Sequence, residues 1–186
     1  MCRKIKRKIG YLNIQRIHRR QHRKRQVFNL KTGRTIGIVF DATDPKDFDL
    51  ILEFHMNLLK KGRKVTILGF VNAKEVPAHY LFRKNFIFFT KKMLNWYGRP
   101  QPEEVIKFIK YPFDILIDLS LKDDFVFDYI RGASPARFKV SRYREGDKYA
   151  DMMFSLEEND TLEYFIKVVT SYLETINRPE LANINY

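Results

Sequence analysis

The first 40 residues contain neither aspartate nor glutamate; the first acid in the chain is Asp41. That absence leaves 13 cations without a counter-charge among residues 1–34: Arg3, Lys4, Lys6, Arg7, Lys8, Arg16, Arg19, Arg20, Arg23, Lys24, Arg25, Lys31 and Arg34. Taking these 13 from the chain's 35 basic residues leaves 22 against 22 acidic ones, so the net charge of +13 sits entirely in the amino-terminal segment. Charge concentrated in this way points to a polyanionic partner and says nothing of fold. Cysteine is nearly absent too. The single Cys2 excludes an internal disulfide and a cysteine-built zinc site, and it fits a reducing compartment. No apolar run approaches the roughly 18 residues of a membrane span. No apolar core follows the first cations, which argues against a secretory signal. Mitochondrial presequences are likewise Arg-rich and acid-free, but this segment lacks serine and carries consecutive basic pairs. The expected setting is the cytoplasm.

What is present beyond the segment is the composition of a globular domain, with 45% hydrophobic and 15% aromatic residues over the 186-residue chain. The expected division is a basic arm over 1–33, an α/β domain over 34–178 and a polar tail over 179–186. Residues 3–25 hold no proline and one glycine, so the arm should be helical. At 100° per residue Ile5, Ile9 and Leu12 share a face while Ile14 and Ile17 fall on another. This broken stripe counts against a membrane-surface helix. His18 and His22 have an i, i+4 metal-ligand spacing, but with no carboxylate nearby they read as nucleic-acid contacts or bystanders.

From residue 34 onward strands and helices alternate. Residues 34–41 (RTIGIVFD), 63–70 (RKVTILGF), 84–90 (KNFIFFT) and 113–120 (FDILIDLS) read as buried strands, followed by late strands over 137–141 and 152–156. Asp44-Pro45 starts a helix running to about Lys61, with His55 at its core edge and Gly62 closing it. Further helices are expected over 103–110, over 123–131 (stopped by Gly132) and over 161–176 (capped by Asn159 or Asp160). The alternation implies a single Rossmann-like or flavodoxin-like three-layer sandwich with a mostly parallel sheet and a basic helical arm. Ligands in such sheets bind beyond the carboxyl ends of the strands, which makes Asp41, Asp118, Ser120, Trp96 and Arg99 a possible rim site.

The chemistry available at that rim is limited. The turn after the first strand, Asp41-Ala42-Thr43-Asp44-Pro45, has no glycine and two carboxylates, and no Walker lysine motif occurs, so no nucleotide cofactor is expected. Asp41, Asp44 and Asp118 would suit magnesium, but acids at strand ends more commonly cap a helix or pair with a cation, so no metal is assigned. No serine or cysteine sits in a nucleophile elbow, and no catalytic residue is assigned. The loop Asn95-Trp96-Tyr97-Gly98-Arg99-Pro100 either presents an aromatic that stacks on bases or is pinned by a buried tryptophan; composition favours neither.

Residues 113–143, from FDILIDLS through the short helix to ARFKVSRY, resemble the amino-terminal half of heptosyltransferase-type glycosyltransferases. Those enzymes hold their sugar nucleotide with a second Rossmann domain, and the chain ends before one could begin. The resemblance therefore implies a shared fold without the donor site. Over most of residues 1–175 the chain is similar to a family of short, uncharacterised bacterial proteins that join a basic segment to RTIGIVFDA-like, LNWYGRP-like and FDILIDLS-like phrases. That family lends no functional residues. The resulting expectation is a non-catalytic RNA-binding protein, docking through the 13 cations on ribosomal RNA or the ribosome. RNA is preferred to DNA because the arm is similar to arginine-rich segments that order on RNA and no DNA-reading motif accompanies it. The alternatives are an enzyme or degenerate enzyme of sugar-transfer or phosphoryl type at the rim, and an arm held at an anionic membrane face.

Overall fold

The computed structural model describes residues 2–177; the Arg3 side chain and the tail expected over 179–186 lie outside the described residues. The chain order is α1 (Cys2–Arg20), β1 (Thr35–Asp41), α2 (Pro45–Lys60), β2 (Lys64–Val71), β3 (Phe86–Thr90), α3 (Glu103–Lys110), β4 (Ile115–Asp118), α4 (Phe125–Ala133), β5 (Phe138–Arg142), β6 (Met152–Phe154) and α5 (Leu162–Thr175). The six strands form one sheet of order β3-β2-β1-β4-β5-β6, and all five pairings are parallel. This is the Rossmann winding: the strand order reverses between β1 and β4, the place where such sheets commonly bind ligands.

The central strands are buried on both faces, as the continuous apolar runs of β1, β2 and β4 require. One face is covered by α2 and α5, where Phe48, Ile51, Leu58, Phe165, Val169 and Leu173 pack on Ile36, Ile38 and Ile67. The other is covered by α3 and α4, whose Val105, Phe108, Val126 and Ile130 pack with Val39, Leu68 and Leu116. α2 begins as expected, with Asp44 accepting the Lys46 N–H at 2.9 Å and Pro45 in the first turn.

The basic segment is part of this architecture. α1 lies on the outer side of α4, with Ile14 fully buried and the Tyr11 hydroxyl donating to Asp128 at 2.7 Å. The approach is close because two glycines permit it. A Cβ at Gly132 would run into the Ile14 side chain, and one at Gly10 would run into the Phe125 ring. Gly132 therefore does not stop α4, which continues to Ala133; its place in the sequence marks a helix contact.

α1 ends at Arg20, short of the expected residue 25, because the next side chains bond elsewhere. Gln21 donates to the Ala133 carbonyl, and Arg23 donates to the Ala136 carbonyl and pairs with Asp151. The chain then crosses the amino-terminal edge of the sheet, with Gln26 N donating to Arg137 O at 3.2 Å and Leu30 N to Leu173 O at 2.8 Å. Phe28 and Leu30 enter the opposite core. One smaller departure concerns α5. Its cap is Thr161, whose side chain accepts from Tyr164 N, in place of Asn159 or Asp160.

Candidate functional site

Asp118 and Ser120 lie beneath the rim. Asp118 ends β4 fully buried. Its Oδ1 accepts the Ser120 N–H at 2.9 Å and the Ser120 hydroxyl at 2.6 Å, and its Oδ2 pairs with Arg131 of α4. Arg131, also buried, reaches Asp128 at 2.6 Å and Asp147 at 2.8 Å. Arg144 closes the network, bonding the Ser120 carbonyl at 2.9 Å, its hydroxyl at 2.8 Å and Asp123 at 3.0 Å. Burial alone would push the Asp118 carboxyl up; Arg131, Arg144 and the Ser120 donors outweigh it and hold the group below the ordinary carboxylate value. Both Asp118 carboxylate oxygens are engaged, and the network joins β4, α4 and the 142–149 loop. The Ser120 hydroxyl, donating to Asp118 and accepting from Arg144, is not poised as a nucleophile.

Asp41 is placed differently. It pairs in register with Phe70, two residues beyond Val39, the partner of Asp118. Its Oδ1 accepts the Thr43 N–H at 3.0 Å and its Oδ2 the Lys122 ammonium at 2.7 Å. The two aspartates therefore serve separate turns. Among the described residues no group of three or more His, Cys, Asp or Glu is arranged to hold a metal ion.

Trp96 and Arg99 are also separated. Arg99 lines a cavity of about 310 Å³ beside Ile17, Gln21 and Tyr129. Trp96 lines another, of about 390 Å³, at the carboxyl edge of the sheet with Lys6, Arg7, Lys91 and Phe125. The indole is 59% exposed, so the loop is not pinned by it. Asn95 pins the loop instead: its Oδ1 accepts the Tyr97 N–H at 3.2 Å and the Arg99 N–H at 2.9 Å, and its own N–H donates to Arg99 O at 2.8 Å.

The basic segment divides by face. Gly10, Ile14 and the half-buried Tyr11, Ile17 and His18 turn toward α4. The His18 ring meets Tyr149 edge-on at 5.4 Å, and burial, with Lys139 nearby, lowers its basicity; His22 is exposed, so the i, i+4 pair does not converge. Lys4, Lys6, Arg7, Lys8, Arg16, Arg19, Arg20, Lys24, Arg25, Lys31 and Arg34 are exposed. Among the described cations of the segment, Arg23 alone is withdrawn into the fold, by its bonds to the 136–137 carbonyls and Asp151. Ile5, Ile9 and Leu12 are exposed at 51%, 38% and 56% along the outward side of α1, with cations on either side of them.

Neither the Asp118–Arg131–Asp147 network nor Lys139 was anticipated from the sequence. The Lys139 ammonium is buried, donates to the Arg131 carbonyl at 2.6 Å and has its basicity lowered to about 6, by burial first and then by Arg23 and Arg131. The only trace of it in the sequence is the density of acids and bases over residues 118–151, which carries no period to read.

No curated protein and no solved structure matches the chain significantly. A family model does match it, over residues 6–176, taking in the basic helix and the sheet domain together. On that match the chain belongs to the family of unknown function DUF6913.

Proposed function

We propose that the protein binds structured RNA without catalysis, ribosomal RNA foremost, through the outward face of α1 and the segment that follows it. The observation that carries this reading is the presentation of the charge. Eleven of the cations named above remain exposed, on a segment without a single acid, and α1 is already folded against α4. A helix ordered beforehand meets phosphates without the entropy loss that a free arginine-rich arm undergoes on binding. Structured RNA suits a rigid cationic face because its helices are recognised by shape and by backbone contacts. The sugar-transfer or phosphoryl alternative finds less support. Asp118 and Ser120 are engaged in the buried network, and Asp41 is paired with Lys122.

The test is a salt titration of affinity for ribosomal RNA fragments. Each phosphate contact releases a condensed counterion, so with about half of the exposed cations engaged, log K against log salt should slope at roughly −4 to −5. An affinity indifferent to salt would refute the reading.

A further inference from the structure

Resting on that reading, we infer that the cavity under Trp96 is a site for one unpaired nucleotide of the bound RNA, with the indole stacking on the base and Lys6, Arg7 and Lys91 taking the phosphate. The cavity, about 390 Å³, lies between the first turns of α1, the 94–98 loop and the start of α4, with Phe70 and Phe125 among its lining. That volume falls within the range of small-molecule sites and is large enough for a base with its sugar.

Its charges favour an anion. Lys6 and Lys91 form no ion pair among the described residues, and Arg7 leans over the Tyr11 ring at 5.9 Å. Of the two acids in the lining, Asp123 is shared by Arg142 and Arg144, and Asp124 caps α4 through the Val126 N–H at 3.2 Å. Three cations thus face one capping carboxylate.

The aromatic component is independent of the charges. Trp96 stands at the tip of a loop closed by the Leu94–Pro100 bridge and the Asn95 bonds, with Tyr97 against it edge-on at 5.1 Å and 87°. An edge-to-face contact covers at most one face of the indole and leaves the other available. The fold gains little by holding a large apolar ring outward on a rigid loop, because its burial would be favourable. Stacking on a base recovers that area and tolerates any base, since every base has a π-face. Lys6 and Arg7 also join the cavity to the outward cations of α1, so a strand lying along the helix can place one flipped-out nucleotide here.

Trp96 is the chain's one tryptophan, so its emission reports on this cavity alone. The experiment titrates the full chain with single-stranded hexaadenylate, with an RNA duplex and with AMP, following emission. In parallel, the anisotropy of labelled RNA is read for the wild type, Trp96→Ala and Trp96→Phe. We expect hexaadenylate to quench the emission and the duplex to bind without quenching. Trp96→Ala should weaken single-strand binding about tenfold with the salt slope unchanged, and Trp96→Phe should keep part of it. Salt-dependent binding of both RNAs with no quenching and no effect of Trp96→Ala would overturn the site while leaving the RNA reading intact. Quenching by AMP as tight as that by hexaadenylate, with RNA binding unchanged in Trp96→Ala, would overturn it in favour of a free-nucleotide site. Absence of any RNA binding would overturn both readings.

Discussion

Ile14 of α1 is seated directly on Gly132 of α4, so closely that a Cβ at position 132 would collide with its γ2 methyl. This contact ties a segment that reads as pure charge to the folded core. The expected outcome of Gly132→Val is destabilisation by about 1–3 kcal/mol, the usual cost of overpacking. Ile14→Ala should cost about 2–4 kcal/mol through the cavity it leaves. Both are measured by urea unfolding. Removing residues 2–20 altogether should lower the midpoint sharply and expose apolar surface on α4, seen as binding of a hydrophobic dye. An unchanged midpoint would mean that α1 is held only loosely.

The second prediction concerns Asp118. Replacing it by Asn leaves the buried Arg131 without its closest counter-charge, although Asp128 and Asp147 remain. Breaking a buried pair from one side costs about 3 kcal/mol or more. Magnesium should leave the melting temperature of the wild type where it is, because a ligand stabilises only by binding the native state. A magnesium-dependent rise abolished by Asp118→Asn would make the rim a metal site.

How much of this was legible in the sequence follows from the range of the interactions. β1, α2 and α3 are specified by neighbours: an apolar run, the Asp44-Pro45 start, a short amphipathic repeat. The expected bounds of α3 are those observed. The docking of α1 depends on Gly10, Ile14, Phe125 and Gly132, which are distant in the chain and meet through small residues. A narrow contact face of that kind leaves no wide apolar stripe to detect. The same holds for the site. The exposed cations could be read from composition, whereas the withdrawal of Arg23 depends on carbonyls and an acid more than 100 residues away. The exposure of Trp96 follows from Asn95 doing the work of holding the loop, which no spacing announces.

A third prediction is a dependence of stability on pH set by Lys139 and His55. The Lys139 ammonium has an ordinary value of 10.5 and a folded value of about 6; burial, Arg23, Arg131 and Arg25 lower it, while Asp147 opposes them. Between those values the unfolded chain binds one more proton than the folded one, so stability rises with pH across the window. His55, buried against Phe86 without a hydrogen-bond partner on either ring nitrogen, is lowered by burial and adds the same sign as pH falls below 6.5. Lys139→Met should flatten the slope from pH 6 to 10 and raise stability at pH 7 by about 2 kcal/mol, net of the lost bond to the Arg131 carbonyl. Chemical denaturation at several pH values measures it. A slope that survives the substitution would place the titration elsewhere.

The last prediction separates charge from apolar surface on α1. Its outward side carries Arg16, Arg19 and Arg20 together with the exposed Ile5, Ile9 and Leu12. If phosphates are the partner, Arg16→Glu, Arg19→Glu and Arg20→Glu combined should weaken RNA binding at every sequence alike. The salt slope should also become shallower by about 2–3, since each lost contact removes roughly 0.7–0.9 from it. Arg23 is left out of this variant because its ion pair with Asp151 and its carbonyl bonds hold the fold, and reversing it would confound binding with stability. Replacing Ile5, Ile9 and Leu12 together by Ser removes apolar area but no charge, so RNA affinity should change by less than about threefold and the slope should stay the same. For a helix lying on an anionic membrane the pattern inverts, because burial of those three side chains would then supply much of the binding energy. Flotation with vesicles containing phosphatidylserine reads that outcome. Vesicle binding lost in the Ser variant, alongside RNA binding unaffected by the Glu variant, would replace RNA by a lipid surface as the partner of α1.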